Sequence, residues 1–338
     1  MRAAVDVGPG DIRVEARPTP AAGPGELLVK VRGCGLCGSD LVKLREAPAT
    51  PTVLGHEVVG EVVMAGAGVA DHPAGERVVV AHHVPCFTCH YCQRGSPSMC
   101  RVFKASNLDP GGFAEYVRVP SENVRHATFR IPNGMPDVVA AFTEPLACCL
   151  RAVRRAGVEQ GDVVAVVGVG AMGGLLLQLA RRAGARVVGV DPLAERRELA
   201  ERLGAVRAVE PVGARPALAE LTAGRGADRA LLTAGAPAVV SSALGLVRDG
   251  GVVHLFVGEG DGPLPIGAIY RRELTLSATY SSSPAELAEA FRLLSAAEVE
   301  VGILLSHRVP LDGLGDAARL VETRAALKVF VEIGAGPR

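Results

Sequence analysis

Two runs of residues in this chain have the types and spacing of working chemistry. The first, Cys86-x2-Cys89-x2-Cys92-x7-Cys100, sets four thiols within fifteen residues, with Gly95, Ser96 and Pro97 as loop formers before the last. Four thiolates close a tetrahedral shell around Zn2+ and leave no open position, so the spacing predicts a structural site. Thiolates also hold iron–sulfur clusters, but the fourth Cys is followed by Arg101 where the bacterial ferredoxin run has Pro. Zinc is the expected occupant. The second run is Gly168-Val169-Gly170-Ala171-Met172-Gly173, preceded by the apolar Val163 to Val167 and followed by a helical stretch. In that context the first Gly permits a tight turn, the second lets a pyrophosphate approach the backbone, and the third packs helix on strand. Asp191 closes the next apolar run, 18 residues beyond Gly173. There it would accept hydrogen bonds from an adenosine ribose and repel a 2′-phosphate, favouring NAD over NADP. Arg196 and Arg197 pull against that preference unless they are solvated or stacked on the adenine.

These residues need elements to hold them. Up to about Leu146 the chain is rich in Gly, Pro and Val, with strand-like runs at Glu26 to Arg32, Val58 to Met64 and Glu76 to Ala81, and reads as mostly β. Apolar runs then alternate with helical stretches: Asp162 to Gly168, Ala171 to Ala183, Arg186 to Asp191 and Leu193 to Leu203. That alternation predicts parallel βαβ units. Further buried strands are expected at Ala227 to Thr233, Gly251 to Val257 and Leu274 to Ala278, with helices at Pro237 to Val247 and Pro284 to Ala296. Thr233 and Val257 thus fall at the carboxyl edge of the sheet, where a dinucleotide lies, and join the expected cofactor contacts. The last fifty or so residues break the βαβ pattern, with strand-like Ser306 to Pro310 and Lys328 to Ile333, and are expected to fold back onto the first half.

Length and composition bound the possible functions. The 338 residues suffice for two domains, 49% are hydrophobic, and no apolar run approaches the roughly 18 to 20 residues of a membrane span. Thirty-six basic residues balance 36 acidic ones, without the excess that phosphate-backbone binding demands, so neither nucleic acid nor membrane is an expected partner. The N-terminus lacks the charged start and apolar stretch of a secretory signal, and a cytoplasmic location is expected. Eight Cys are too few for a disulfide scaffold in a chain of this length. Cys34 shares the segment of Cys37 but lacks its Gly-Ser-Asp context, Cys148 and Cys149 at the start of a helix read as small apolar fillers, and none of the three is an expected ligand. Of the histidines flanking the cysteine run, His82 and His90 read as surface or hydrogen-bonding residues and His83 as a substrate-pocket candidate.

Three further segments, Cys37-Gly38-Ser39-Asp40, Gly55-His56-Glu57 and Glu144-Pro145-Leu146, each carry a metal-ligating side chain beside Gly or Pro. Singly, each has an ordinary reading as a core or loop-ending residue. Their order, together with the cysteine run and the glycine loop, resembles the zinc-dependent medium-chain dehydrogenases, especially the sorbitol and threonine dehydrogenase branch. The resemblance spans nearly the whole chain.

It implies an α/β fold in two domains. A GroES-like β-rich catalytic domain over residues 1–146 would hold two zinc ions, one structural and one catalytic. A Rossmann domain with a doubly wound parallel sheet would span 147–281 and bind NAD, and residues 282–338 would return to the first domain. The resemblance gives Cys37, His56 and Glu144 as ligands of the catalytic zinc, with Glu57 as a ligand that exchanges with water or substrate. A Cys/His/carboxylate shell with one position open is the arrangement of a catalytic zinc. Ser39 would carry the substrate's hydroxyl proton toward the cofactor ribose, against the plainer reading of a helix-capping hydroxyl. Where relatives usually continue that relay with His, this chain has Val42, followed by Lys43.

The implied reaction is hydride transfer to NAD from a secondary alcohol, a polyol or related polyhydroxy compound. An amino alcohol, L-threonine or an aminocyclitol such as 2-deoxy-scyllo-inosamine, is the alternative. A non-catalytic NAD-binding relative would have lost a catalytic ligand, and none is lost. The family also implies a homo-oligomer, tetramer or dimer.

Overall fold

The computed structural model describes residues 1–258 and 260–334. They form two compact units, residues 1–145 with 283–334, and residues 146–282. No described helix is long and apolar enough to cross a membrane.

The first unit is built on a seven-stranded sheet whose central strand is Leu27–Leu36. Its first half alternates, with Leu27, Val29 and Val31 buried and Lys30 and Arg32 exposed, as expected of a strand with one face on the core. Burial then becomes continuous from Gly33 to Leu36 because neighbouring side chains press on it from both edges. A Cβ at Gly33 would sit 2.1 Å from the Phe330 ring, and one at Gly35 would sit 1.8 Å from Glu57 Oε2. Antiparallel partners flank the strand: Glu57–Ala65, which pairs Gly35 with Glu57, and Lys328–Glu332, which pairs Gly35 with Phe330. Cys37, Glu57 and Lys328 therefore arrive together at one end of three adjacent strands. Valines from these strands and from Arg77–Ala81 fill the core with Phe113, each buried side chain contributing about 1.5–3 kcal/mol.

The second unit carries six parallel strands. Numbered by their own sequence order, they lie 3-2-1-4-5-6. The first is Val163–Val167 and the fourth Ala227–Leu232; between them the order reverses, opening a crevice at their carboxyl ends. This is the doubly wound Rossmann arrangement, and with the β-rich first unit it makes the α/β fold expected from the sequence. One helix starts earlier than the sequence suggested. It spans Thr143–Arg155, so Cys148 and Cys149 lie in its interior. Pro145 falls in the first turn, where its missing N–H costs nothing, and so opens the helix instead of ending a loop.

Candidate active site and metal centres

The four-cysteine run forms a separate lobe. All four thiols are free, and their sulfur atoms lie within 4.8 Å of one another. Cys89 and Cys92 are 3.5 Å apart and Cys86 and Cys100 3.6 Å apart, near the about 3.8 Å that 2.3 Å Zn–S bonds impose on tetrahedral thiolates. A cluster of several iron atoms would spread them further. Hydrogen bonds from the Thr88 amide and hydroxyl draw the Cys86 thiol down to about 6, whereas burial and the neighbouring Cys89 and Cys100 push Cys92 up to about 12. Four thiols this close cannot all ionise without a cation among them.

A second constellation is assembled from distant segments. Donor atoms of Cys37, His56 and Glu57 lie within 4.8 Å of one another. Cys37 follows the central strand and opens the short helix Gly38–Leu44, where its backbone N–H donates to Asp40 Oδ2 at 3.1 Å. Asp40 is fully buried, and its Oδ1 faces His56 Nδ1 at 3.3 Å, the outer-shell contact that leaves a ligating His its other nitrogen for metal. Gly55, at φ +92° with Phe113 against it, turns the chain so that His56 enters this group. Burial alone would lower the His56 pKa, but Asp40 and Cys37 outweigh it and raise it well above the ordinary value. The arrangement calls for a positive charge.

Glu57 is 1% exposed. Its Oε1 accepts a hydrogen bond from Lys328 Nζ at 2.5 Å, while Oε2 is buried without a partner. Burial holds Glu57 above the usual carboxylate range despite Lys328; burial opposes the Lys328 charge, but Glu57 with Cys37 raises its pKa. An orphaned carboxylate oxygen beside a thiol and an imidazole fits a bound zinc ion. Glu144, in the first turn of its helix, is buried and near enough to raise the Glu57 pKa, although outside the tight three-residue group.

A cleft of about 400 Å3 opens on His56. Lys43, Thr52, His82 and Asn107 line it, with the acidic Asp6 and Glu46. Ser39 is exposed and makes no capping hydrogen bond, the cap position being Cys37. Val42 is 54% exposed. The histidines exchange their expected roles. His82 lines the cleft, whereas His83 Nδ1 donates to the Ser106 carbonyl at 2.6 Å.

In the second unit the three glycines divide their work. Gly168 has φ +90° and lies so close to Thr233 that a Cβ would meet its hydroxyl at 2.3 Å. Gly173 packs on the Gly168 carbonyl, 2.0 Å from a would-be Cβ, and Gly170 faces open space at the start of the helix Ala171–Arg182. Thr233 Oγ1 donates to the Gly168 carbonyl at 2.8 Å, tying the fourth strand to the loop. Val257 lies just past the Val247–Leu255 strand, at the same edge. Asp191 ends the second strand; its Oδ2 accepts from the Val169 amide at 2.7 Å and its Oδ1 from the Leu193 amide at 3.0 Å. Arg196 is buried, not solvated, and Arg197 donates to the Asp191 and Pro192 carbonyls.

Sequence reasoning missed Asp40 and Lys328. The Asp40 signal lay in its own motif, three residues after Cys37. Lys328 lies 271 residues from Glu57, and its only sequence signal is a charge heading an apolar strand.

Comparison with known proteins agrees with both halves. Residues 23–132 match the alcohol dehydrogenase GroES-like domain and residues 171–296 the zinc-binding dehydrogenase domain. A sorbitol dehydrogenase of Halalkalibacterium halodurans is 31% identical over 335 residues, 96% of each chain. An L-threonine 3-dehydrogenase of Pyrococcus abyssi is 36% identical over 248 residues, 70% of this chain and 69% of that one. A zinc-binding dehydrogenase of Sinorhizobium meliloti, solved with NADP bound, superposes with a TM-score of 0.87 at 34% identity, covering 98% of both chains. The chain belongs to the zinc-dependent medium-chain alcohol dehydrogenases. It is therefore an oxidoreductase that uses zinc and a nicotinamide cofactor on a small alcohol.

Proposed function

We propose that this dehydrogenase oxidises a secondary hydroxyl of a polyol or related polyhydroxy compound, with NAD as hydride acceptor and two zinc ions per chain. The observation that carries the reading is the meeting of Cys37, His56 and the orphaned Glu57 oxygen, with His56 at the wall of a polar cleft. Cys37, His56 and Glu144 would hold the catalytic ion, with Glu57 as the exchanging ligand, and Cys86, Cys89, Cys92 and Cys100 the structural one. Zinc supplies Lewis acidity that lowers the pKa of a substrate hydroxyl. Asp40 orients His56, and Lys328 holds one oxygen of Glu57. Ser39, exposed and uncommitted, takes the hydroxyl proton; with Val42 in place of a relay His, the proton leaves through water.

Residues 1–146 with 282–338 act as the catalytic domain and 147–281 as the NAD-binding domain. Gly168, Gly170, Ala171, Met172 and Gly173 receive the pyrophosphate on the helix N-terminus. Thr233 and Val257 line the nicotinamide half, and Arg196 lies on the adenosine side. The Asp191 carboxylate disfavours a 2′-phosphate, which supports NAD over NADP. Asp6 and Glu46 in the cleft favour a second reading, an amino alcohol such as L-threonine or an aminocyclitol, whose ammonium they would attract. An oligomer, dimer or tetramer, is supported by the open Thr275–Ala278 sheet edge and the exposed Tyr270 and Tyr280 nearby. Eight free cysteines suit the cytoplasm.

The test is NADH formation with sorbitol, xylitol, galactitol, inositols, L-threonine and aminocyclitols, run with NAD and with NADP on protein of measured zinc content. A polyol oxidised with NAD at two zincs per chain is expected. Turnover confined to the amino compounds would replace the first reading by the second.

A further inference from the structure

The cleft is lined by a ring with an unpaired buried nitrogen. The His82 ring packs between those of His56 and His83, with centroids 4.5 and 3.7 Å away, and its Nδ1 is buried without a hydrogen-bond partner. The other histidines in comparable positions are engaged. His72 meets Glu76, His83 the Ser106 carbonyl, and His254 both Ser277 and Thr279, while His56 faces Asp40. A buried ring nitrogen left unpaired loses its water without return, so a side chain kept in that state beside a cleft awaits a ligand. An imidazole offers one donor and one acceptor nitrogen, and a hydroxyl is likewise both. The rest of the wall has the same character: Thr52 and Asn107 offer neutral hydrogen-bonding groups, Asp6 and Glu46 accept, and Lys43 is the one Lys or Arg among the described lining residues.

We propose that His82 is a specificity-determining residue, hydrogen-bonding a second hydroxyl of the substrate while the first is held where His56, the neighbour of Cys37 and Glu57, meets the cleft. This rests on the polyol reading and deepens it: the preferred substrates are diols and longer polyols, and simple alcohols of the same skeleton are discriminated against. Packing alone does not account for the residue, because phenylalanine would fill the same place against His56 with no nitrogen to leave unpaired.

The test compares matched pairs, 2,3-butanediol with 2-butanol and trans-1,2-cyclohexanediol with cyclohexanol, in wild type, His82→Phe and His82→Asn. The quantity read is the ratio of kcat/KM for the diol to that for the mono-alcohol, so that loss common to both cancels. The ratio should fall about 10- to 100-fold in His82→Phe and recover in part in His82→Asn, whose amide can reach the position of Nδ1. An unchanged ratio would make His82 a packing residue and overturn the proposal. If wild type oxidises none of the four, the polyol reading fails on these substrates, and calorimetric titration of xylitol into zinc- and NAD-loaded protein decides His82 separately. Binding weakened about tenfold or more in His82→Phe supports the proposal; equal binding refutes it.

Discussion

The two cysteine-containing centres of this chain are suited to the same proposed task, holding a cation, by opposite means. The lobe draws its four thiols from one continuous run, three of them half-buried and Cys100 buried, with all four sulfurs close enough to close a shell. The cleft centre draws Cys37, His56 and Glu57 from two segments, with Glu144 beside them, and sets Lys328 from the far end of the chain against Glu57. Local spacing builds the first; strand register builds the second. With the proposed metals in place the lobe would spend every ligand on its ion, whereas the cleft centre keeps an oxygen of Glu57 unpaired and a cleft beside it, the difference between a site that fastens and a site that reacts.

Mutations can separate these two designs. The lobe is tested by Cys92→Ser. It should remove one zinc and speed proteolysis between Cys86 and Cys100 by on the order of 100-fold, because a metal shell supplies the folding energy of such a lobe, while NAD binding by the second unit is retained. Zinc analysis and limited proteolysis check it. Next, Lys328→Met leaves Glu57 buried without its partner and should cost about 3–5 kcal/mol in denaturant unfolding, most of it recovered by adding Glu57→Gln. No recovery would mean that Lys328 acts through packing.

The third effect is a pH dependence in the second unit. His254, buried and hydrogen-bonded on both nitrogens, titrates at about 4 because burial, aided by Arg155, disfavours its charge. An unfolded His takes its proton near 6.5, so stability is fully present above that pH and is lost as pH falls toward 4, by at most about 3 kcal/mol. His254→Gln should flatten that part of the stability profile. The smallest pair of effects tests the glycine loop. Gly173→Ala drives a Cβ to 2.0 Å from the Gly168 carbonyl and should destabilise by about 1–3 kcal/mol. Gly170→Ala meets nothing within 4 Å in the protein, so its unfolding should shift by less than about 0.5 kcal/mol while NAD affinity falls. Equal stability losses would contradict the division of labour among the glycines.

What was legible in the sequence follows the same contrast. The cysteine run and the glycine loop with its flanking strand, helix and Asp191 were readable because each is a local pattern whose geometry its own residues impose. The parallel βαβ units were readable from the alternation of apolar runs and helices, and their doubly wound arrangement through the resemblance. The cleft centre was legible only through resemblance, since nothing in the neighbourhood of Cys37 or Glu57 states that one strand will pair with both Glu57–Ala65 and Lys328–Glu332. Lys328 was invisible for that reason, and Pro145 misled because a proline ends one helix and begins another equally well. The exchange of roles between His82 and His83 was beyond reach, because adjacent residues on an irregular segment point in directions fixed only by contacts such as the Ser106 carbonyl.

On the proposed function the reaction occurs at the cleft centre and not at the lobe. The direct test is the zinc content and NADH formation of Cys37→Ser beside wild type, on the best polyol substrate. Two zincs are expected in wild type and one in the variant, with an unchanged melting transition to within a few degrees and NADH formation reduced at least about a thousandfold. A variant that keeps both metals, or that loses one and still oxidises the substrate at the wild-type rate, would contradict it.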